Sequence, residues 1–422
     1  MNPSPPECSS ATVEEFLRAL YPEWLEKTGQ TLPRQPESVE RPSSGDSLPA
    51  DPATPEEQRR VITSLPRRPI PSRLEHPVAV ILAGGKGTRM ASGVRQKALC
   101  PILGRPALLR AIETYRSFGL AHFILIVGIG YQDVLACVGS DTPGMTFLYQ
   151  EEQLGTGHAA RLAARYLRLQ RYTGDVLVVM GDKFITPRGF QCLLRDHAAR
   201  QADLTISTAS KTAWPDSGRV VKDEGGRILA IIEKPDLVLS RLLHDFYHWP
   251  EDPVPCQALL DRALQYWNRP EKWAKLLGSA FWQALHDYPA ISPHDNRIHG
   301  WLPKMKDELD FPITPTCRLS GEAIERQCDR VNISAYIFKS APFLESMERL
   351  RSNNAQGELY LTDAVQDLTQ RGHSQGYRVF PSAMPHDYDI MGFNTREELE
   401  FIERAIVDKG LWAEKFQEDP IP

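Results

Sequence analysis

The chain has 422 residues, 41% hydrophobic and 24% charged, with a net charge of -5. That length buries a sizeable core and predicts one large domain with additions. The acidic balance argues against a nucleic-acid partner bound through a general basic surface, while leaving room for a local cationic pocket. Seven cysteines without a close pair offer neither a zinc knuckle nor a disulfide framework, and suit a reducing compartment. The first ten residues lack a cationic start followed by an apolar run, and no stretch reaches the length of a membrane span. The expectation is a cytoplasmic protein with no membrane partner; its oligomeric state is left open.

In chain order, residues 1–76 read as an N-terminal extension. From Thr12 or Val13 to Leu25 apolar residues recur near helical spacing, with Thr12 and Glu15 in capping-box relation. Residues 30–76 are rich in Pro, Ser, Glu and Arg, so a short helix is expected over 55–62 and the rest reads as linker or loosely held chain.

From Pro77 strands alternate with helices. Strands are predicted over 78–82, 122–127, 146–149, 175–180, 203–208, 219–222, 228–233 and 330–338, and helices over 106–118, 157–169, 187–200, 341–350, 360–372 and 395–406. This alternation predicts an α/β fold built from βαβ units on a mixed, mostly parallel sheet covered on both faces. Between Glu233 and Arg330 the alternation stops. Residues 234–248, 255–266 and 270–286 look helical, and five of the eight tryptophans (Trp249, Trp267, Trp273, Trp282, Trp301) fall here, which predicts a helical insertion with its own aromatic core, able to serve also as a wall facing substrate.

Four short strings carry chemistry. The run Leu82, Ala83, Gly84, Gly85, Lys86, Gly87, Thr88, Arg89 follows an apolar strand, and its glycines let backbone N–H groups approach phosphate oxygens that a Cβ would hold away. It is neither a P-loop nor a Gly-x-Gly-x-x-Gly fingerprint, and an ordinary glycine turn remains the alternative. Gln150 to Ala159 follows a strand and opens a helix, so Gly155 and Thr156 can approach an anion at the helix amino end, or simply cap it. Asp182 follows the apolar strand 176–180, where a carboxylate can hold a divalent ion against phosphate or cap a turn. Asn354 to Asp363 is dense in polar groups ahead of a helix, fitting either a ligand loop or a network that supports the fold.

Together these strings resemble the sugar-nucleotide pyrophosphorylases, in particular the uridylyltransferase domain of the bifunctional enzyme that makes UDP-N-acetylglucosamine. The matches are Leu82 to Met90, Gln150 to Ala159, Gly181-Asp182, Asn353 to Asp363 and Gly392 to Arg396, in the family's order, over residues 77 to about 233 and 329 to 408. The resemblance implies a three-layer, Rossmann-like nucleotidyltransferase fold. It implies a nucleotide-binding part at 77–235, a helical insertion at 236–328, and the remainder of the domain with a C-terminal helix at 329–422.

The same resemblance implies roles. Leu82, Gly84, Gly85, Lys86, Gly87 and Thr88 hold the triphosphate. Arg89 aids the departing pyrophosphate, and Lys97 lies on the α-phosphate or the sugar phosphate. Gln150, Gly155 and Thr156 read uracil, Asp182 and Asn394 hold Mg²⁺, and Gly218, Glu233 and Asn332 bind the sugar. The reactants would be UTP and a sugar 1-phosphate, giving a UDP-sugar and pyrophosphate. Alternatives are another base, a phosphorylated alcohol, or a regulatory or scaffold protein that retains the fold without catalysis. In-line attack by an already ionised phosphate needs charge cancellation and alignment rather than a strong base.

Departures from the family pattern fall in four places. Gln96 stands before Lys97 where proline is usual, and Phe184-Ile185 stands after Asp182-Lys183 where Pro-Leu is usual. Lys183 is either an extra phosphate contact or a solvated side chain. Asn332-Ile-Ser replaces Asn-Thr-Gly, and Glu233 and Asn332 lie 99 positions apart, so the insertion enters beside the expected sugar site. This predicts an acceptor other than plain N-acetylglucosamine 1-phosphate, or a lid over that one. The family's acetyltransferase half is built from hexapeptide repeats; none follow Ile406, so acetyl transfer is expected to be missing.

Overall fold

The computed structural model describes residues 11–29, 54–85, 96–302, 308–375, 377–393 and 395–411. The fold is α/β, with helices on both sides of a mixed, mostly parallel sheet, as expected. Two compact units divide the chain, one formed by 1–205, 334–348 and 384–422, the other by 206–333 and 349–383.

In the first unit, strand β1 (Val78–Leu82) lies between two parallel neighbours, Phe123–Val127 and Asp175–Met180, and Met145–Tyr149 continues the parallel set. β1, Phe123–Val127 and Met145–Tyr149 are buried along their whole length. Strands hidden on both faces read as continuous apolar runs, which is how they were legible in the sequence. The far side of Asp175–Met180 takes an antiparallel partner, with Ala335 opposite Val179. In the second unit Arg219–Lys222 and Ile228–Ile232 form an antiparallel pair.

Two departures from expectation concern the N-terminal extension. The expected single helix is two, α1 (Ala11–Leu20) and α2 (Pro22–Thr28). Tyr21 between them has φ -125° and ψ 44°, because the ring of Pro22 excludes helical backbone from the residue before it. The short helix expected over 55–62 is present, but the chain just beyond it, expected to be loose, is packed as far as Ile70. Helix α3 (Pro55–Ser64) opens with a full capping box between Thr54 and Glu57 and buries Val61 and Ile62. The chain beyond it buries Leu65 and Ile70, and the Pro66 carbonyl accepts a 2.8 Å hydrogen bond from the amide of Phe147. Apolar residues one to five positions apart sufficed to dock a segment that its polar composition marked as linker.

The second unit holds the helices between Lys234 and Gln327. Lys234–Tyr247, Cys256–Tyr266, Pro270–Leu277 and Ser279–Asp287 enclose an apolar core around Phe246, Trp273 and Phe281. Trp273 is fully buried and donates its indole N–H to the Trp267 carbonyl at 3.0 Å, while Trp249, Trp267, Trp282 and Trp301 are partly buried against the same core. The stretch read as one helix over 270–286 breaks at Gly278, whose φ of 79° no helix interior accommodates. Short strands at Lys183–Ile185, Ile390–Gly392 and Val379–Ala383, and a helix at Tyr131–Val138, had no clear sequence signal.

Candidate functional site

In the first unit Leu82 pairs with Met180 in parallel register, so the chain leaves both strands at the same edge of the sheet. Ligands of open α/β sheets sit past such carboxyl ends. Immediately beyond Leu82 the backbone runs against other backbone. A methyl group on Gly84 would come within 3.0 Å of Gln150 Oε1, and one on Gly128 within 2.8 Å of the Gly84 carbonyl oxygen. These two glycines are there because nothing larger fits. Gly85 is exposed with open space around it. Lys86, Gly87, Thr88, Arg89 and Asn394 lie outside the described residues.

Gln150 is 6% exposed, and its backbone amide donates to the Val127 carbonyl at 2.7 Å. Its side-chain amide donates to the Gly155 carbonyl at 3.3 Å and meets His158 Nδ1 at 3.2 Å. Gln153, which sequence reasoning did not single out, donates from Nε2 to the Gly84 carbonyl at 2.6 Å and ties this loop to the glycine turn. Gly155, at φ 103°, is the N-cap of the helix Thr156–Leu169, with Thr156 exposed at the first turn. The amino end of a 14-residue helix therefore opens beside Gln150, and the positive end of its dipole favours an anion.

Lys97 and Asp182 form an ion pair, with side chains 22% and 23% exposed. Lys97 opens a single 3₁₀ turn, Lys97–Leu99, and its ammonium also lies 5.3 Å from the centre of the Phe393 ring. Asp182 directly precedes the strand Lys183–Ile185, which pairs antiparallel with Ile390–Gly392 so that Lys183 faces Gly392. The pairing draws two segments that are distant in sequence together next to the Lys97 ammonium. Asp182 offers a hard carboxylate oxygen of the kind Mg²⁺ takes, with phosphate oxygens and water able to complete its shell. Among the described residues no cluster of three or more His, Cys, Asp or Glu could hold a metal by itself.

In the second unit Gly218, Glu233 and Asn332 lie together. The Asn332 amide donates to the Gly218 carbonyl at 2.9 Å, and a methyl on Gly218 would come within 3.1 Å of Glu233 Oε2. Thr362, from the string Asn353 to Asp363, donates its hydroxyl to Glu233 Oε1 at 3.0 Å. Asp236, one helical turn beyond Glu233, is 6% exposed and accepts from the Ala355 amide at 2.7 Å. Burial and the carboxylates of Asp236 and Glu233 push the Asp363 carboxyl up to about 7. A cavity of about 710 Å³ opens among Glu233, Asp236, Tyr360 and Asp363, and Asp310 and Arg318 from the inserted segment line it too. Asn354 organises its own loop, accepting from the amides of Gln356 at 3.2 Å and Glu358 at 3.1 Å.

Residues 78–275 match the model of a family described as nucleotidyl transferase. This stretch belongs to the nucleotidyl transferase family. It is 40% identical to the bifunctional protein GlmU of Geobacillus sp. (strain WCH70) over 332 residues, 78% of this chain and 52% of that one. To the bifunctional protein GlmU of Exiguobacterium sp. (strain ATCC BAA-1283 / AT1b) it is 39% identical over 159 residues, 37% of this chain and 34% of that one. The chain thus spans between about a third and about half of the length of these curated relatives. A solved structure of a putative glucose-1-phosphate thymidylyltransferase from Bacillus anthracis, in complex with a sucrose, aligns with a TM-score of 0.48 at 14% identity, covering 82% of this chain and 98% of that chain.

The places where this nucleotidyl transferase departs from its family's pattern have local physical accounts. Gln96, in the position usually held by proline, is 1% exposed and donates its side-chain amide to the Ile129 carbonyl, so a hydrogen bond fixes the backbone ahead of Lys97 where a ring otherwise would. Phe184 and Ile185 are each 1% exposed and form the short strand after Asp182. Ser334, where the family has glycine, holds φ at 64°, so the backbone keeps the left-handed turn at a cost of about 1 kcal/mol. Among the residues around the second-unit cavity, Asp236, Asp310 and Arg318 were not anticipated. Asp236 alone carried a signal, lying three positions after Glu233 at the start of a helix.

Proposed function

We propose that this nucleotidyl transferase moves a uridylyl group from UTP to a sugar 1-phosphate, giving a UDP-sugar and pyrophosphate. The observation that carries the reading is the shared edge at which β1 and Asp175–Met180 end. There the close-packed Gly84, the Gln150 side chain against it, and the Lys97–Asp182 pair fall within one unit. The glycine turn with Lys86, Gly87, Thr88 and Arg89 would take the triphosphate. Gln150, Gly155 and Thr156 would read the base, and the matching of their string to the uridylyl enzymes favours UTP.

The chemistry asked of the protein is positioning and charge cancellation. The attacking phosphate oxygen is already ionised, so no general base is needed. The Lys97 ammonium, held by Asp182 and the Phe393 ring, would be kept where negative charge shifts toward pyrophosphate. Mg²⁺ held by Asp182 and Asn394 would supply electrostatic neutralisation of the reacting phosphates. Gly218, Glu233 and Asn332 would bind the sugar, Glu233 being oriented by Thr362. The acceptor would be N-acetylglucosamine 1-phosphate or a relative. The presence of Asp310 and Arg318 of the inserted segment around the same cavity as Glu233 favours an acceptor with polar groups beyond those of the plain sugar.

A panel of nucleoside triphosphates against sugar 1-phosphates with Mg²⁺, read as pyrophosphate, tests the reading. UTP with a hexosamine or related 1-phosphate is expected to be the productive pair. Asp182→Ala should lower the rate at least about a hundredfold, the scale of losing an electrostatic anchor for the transition state, with the melting temperature little changed. Undiminished activity in that variant would remove Asp182 from the reaction.

A further inference from the structure

Helices α1 and α2 lie outside the stretch matched by the family model, yet they dock on the back of the loop assigned above to base reading. Tyr21, 1% exposed, donates its phenolic hydrogen to the Tyr149 carbonyl at 3.0 Å, one residue before Gln150. Lys27 forms an ion pair with Glu152, two residues after Gln150. Between these two anchors the Glu151 side chain is 7% exposed, with Oε2 lacking a hydrogen-bond partner among the described residues and Oε1 3.7 Å from His158 Nε2.

The helix pair is itself held firmly. Arg165, on the helix that Gly155 caps, donates to both oxygens of Glu23 at 2.7 Å and to the Leu20 carbonyl at 3.1 Å. The same guanidinium reaches Glu348 at 3.1 Å, which fixes it from the other side. Trp24 donates to Gln58 Oε1 at 2.7 Å, joining α2 to α3. The loop 150–156 is thus gripped from two sides, by Gln153 on the glycine turn and by Tyr21 and Lys27 from behind.

We infer that α1 and α2 are a positioning element for nucleotide binding, with Tyr21 and Lys27 holding residues 149–152 so that the Gln150 amide is preset for the base. The inference rests on the assignment of Gln150 to the base. A preset loop spares the nucleotide the ordering of that loop on binding, so loosening it should weaken nucleotide binding and leave the acceptor untouched. Tyr21 and Lys27 reach the nucleotide through the loop and are positioning residues.

Tyr21→Phe keeps the buried ring and removes the donor; Lys27→Met keeps the stem and removes the charge. In the full chain with Mg²⁺, the double variant is expected to raise KM for UTP about three- to tenfold, the range that loss of one or two modest polar contacts supports, and to narrow discrimination between UTP and dTTP. The value of kcat and the KM for the sugar 1-phosphate should stay within about twofold. Amide hydrogen exchange over 149–156 should quicken while that of β1 does not. An unchanged KM for UTP overturns the inference, whatever the exchange shows. So does a joint effect in which kcat and melting temperature fall and both KM values rise, which would make the helices merely structural. Lys27→Met alone, at a largely exposed position, keeps the test open should Tyr21→Phe fail to fold. Gln150→Ala run in parallel separates the two ways of failing: if it raises KM for UTP and the double variant does not, the positioning role alone falls. If Gln150→Ala leaves KM for UTP unchanged as well, the base assignment is wrong and the inference falls with it.

Discussion

At the Glu151 carboxyl, burial is the main cause and repulsion from Glu152 and Glu23 a further one of a shift that pushes it up to about 7. His158 beside it is itself pushed down by burial, and the Arg165 charge and a backbone hydrogen bond offset the upward shift of the carboxyl only in part. The folded-state value lies above the ordinary 4.5, so the native protein binds the proton more tightly than the unfolded chain. Stability should therefore fall as pH rises from about 4.5 to about 7 and stay lower above it, by up to about 3 kcal/mol from this group. Glu151→Gln should raise the melting temperature at pH 8 and lose that advantage near pH 4, as thermal unfolding across pH would show. Such a group could not be found from the sequence, where Glu151 is one of two adjacent glutamates in a polar string. Gly84 was singled out by a glycine turn after an apolar strand, and Gln150 by the resemblance of its string to the family's. What the sequence left unsaid is that the Gln150 oxygen is what Gly84 makes room for.

Among elements, the helices of the insertion are the clearest case of a pattern read correctly in kind and imprecisely in extent. Their tryptophans divide into one buried keystone, Trp273, and four half-buried companions. Trp273→Ala should cost about 3–5 kcal/mol in stability, measured by denaturant unfolding, because it opens a large cavity and removes the donor to the Trp267 carbonyl. Helix ends moved by a residue or a few where caps or prolines act locally. The break at Tyr21 and the break at Gly278 are both backbone effects that periodicity does not register. The short strands Lys183–Ile185 and Ile390–Gly392 were missed because three-residue strands carry no periodic signal; each exists by pairing with the other across more than two hundred residues.

For the molecule as a whole, the assigned roles divide by unit: nucleotide residues in the first, Gly218, Glu233 and Asn332 in the second. Glu233→Gln should accordingly raise KM for the sugar 1-phosphate about tenfold and leave KM for UTP near its original value, the reverse of Gln150→Ala. Steady-state kinetics with each substrate varied in turn checks both, and a variant that moved the two constants equally would contradict the division. Among the described residues no helix is long and apolar enough to cross a membrane.

The sequence by itself determined the α/β class, the apolar strands of the parallel set and the strings that place the chain in its family, because buried strands and glycine turns leave marks within ten residues. Tertiary structure decided what those marks leave open. It paired Lys97 with Asp182, placed the inserted Asp310 and Arg318 around the cavity of Glu233, and set Tyr21 and Lys27 behind Gln150. Each of these joins residues tens to more than a hundred positions apart, and contacts at that range are fixed by packing of the whole chain, which no local propensity encodes.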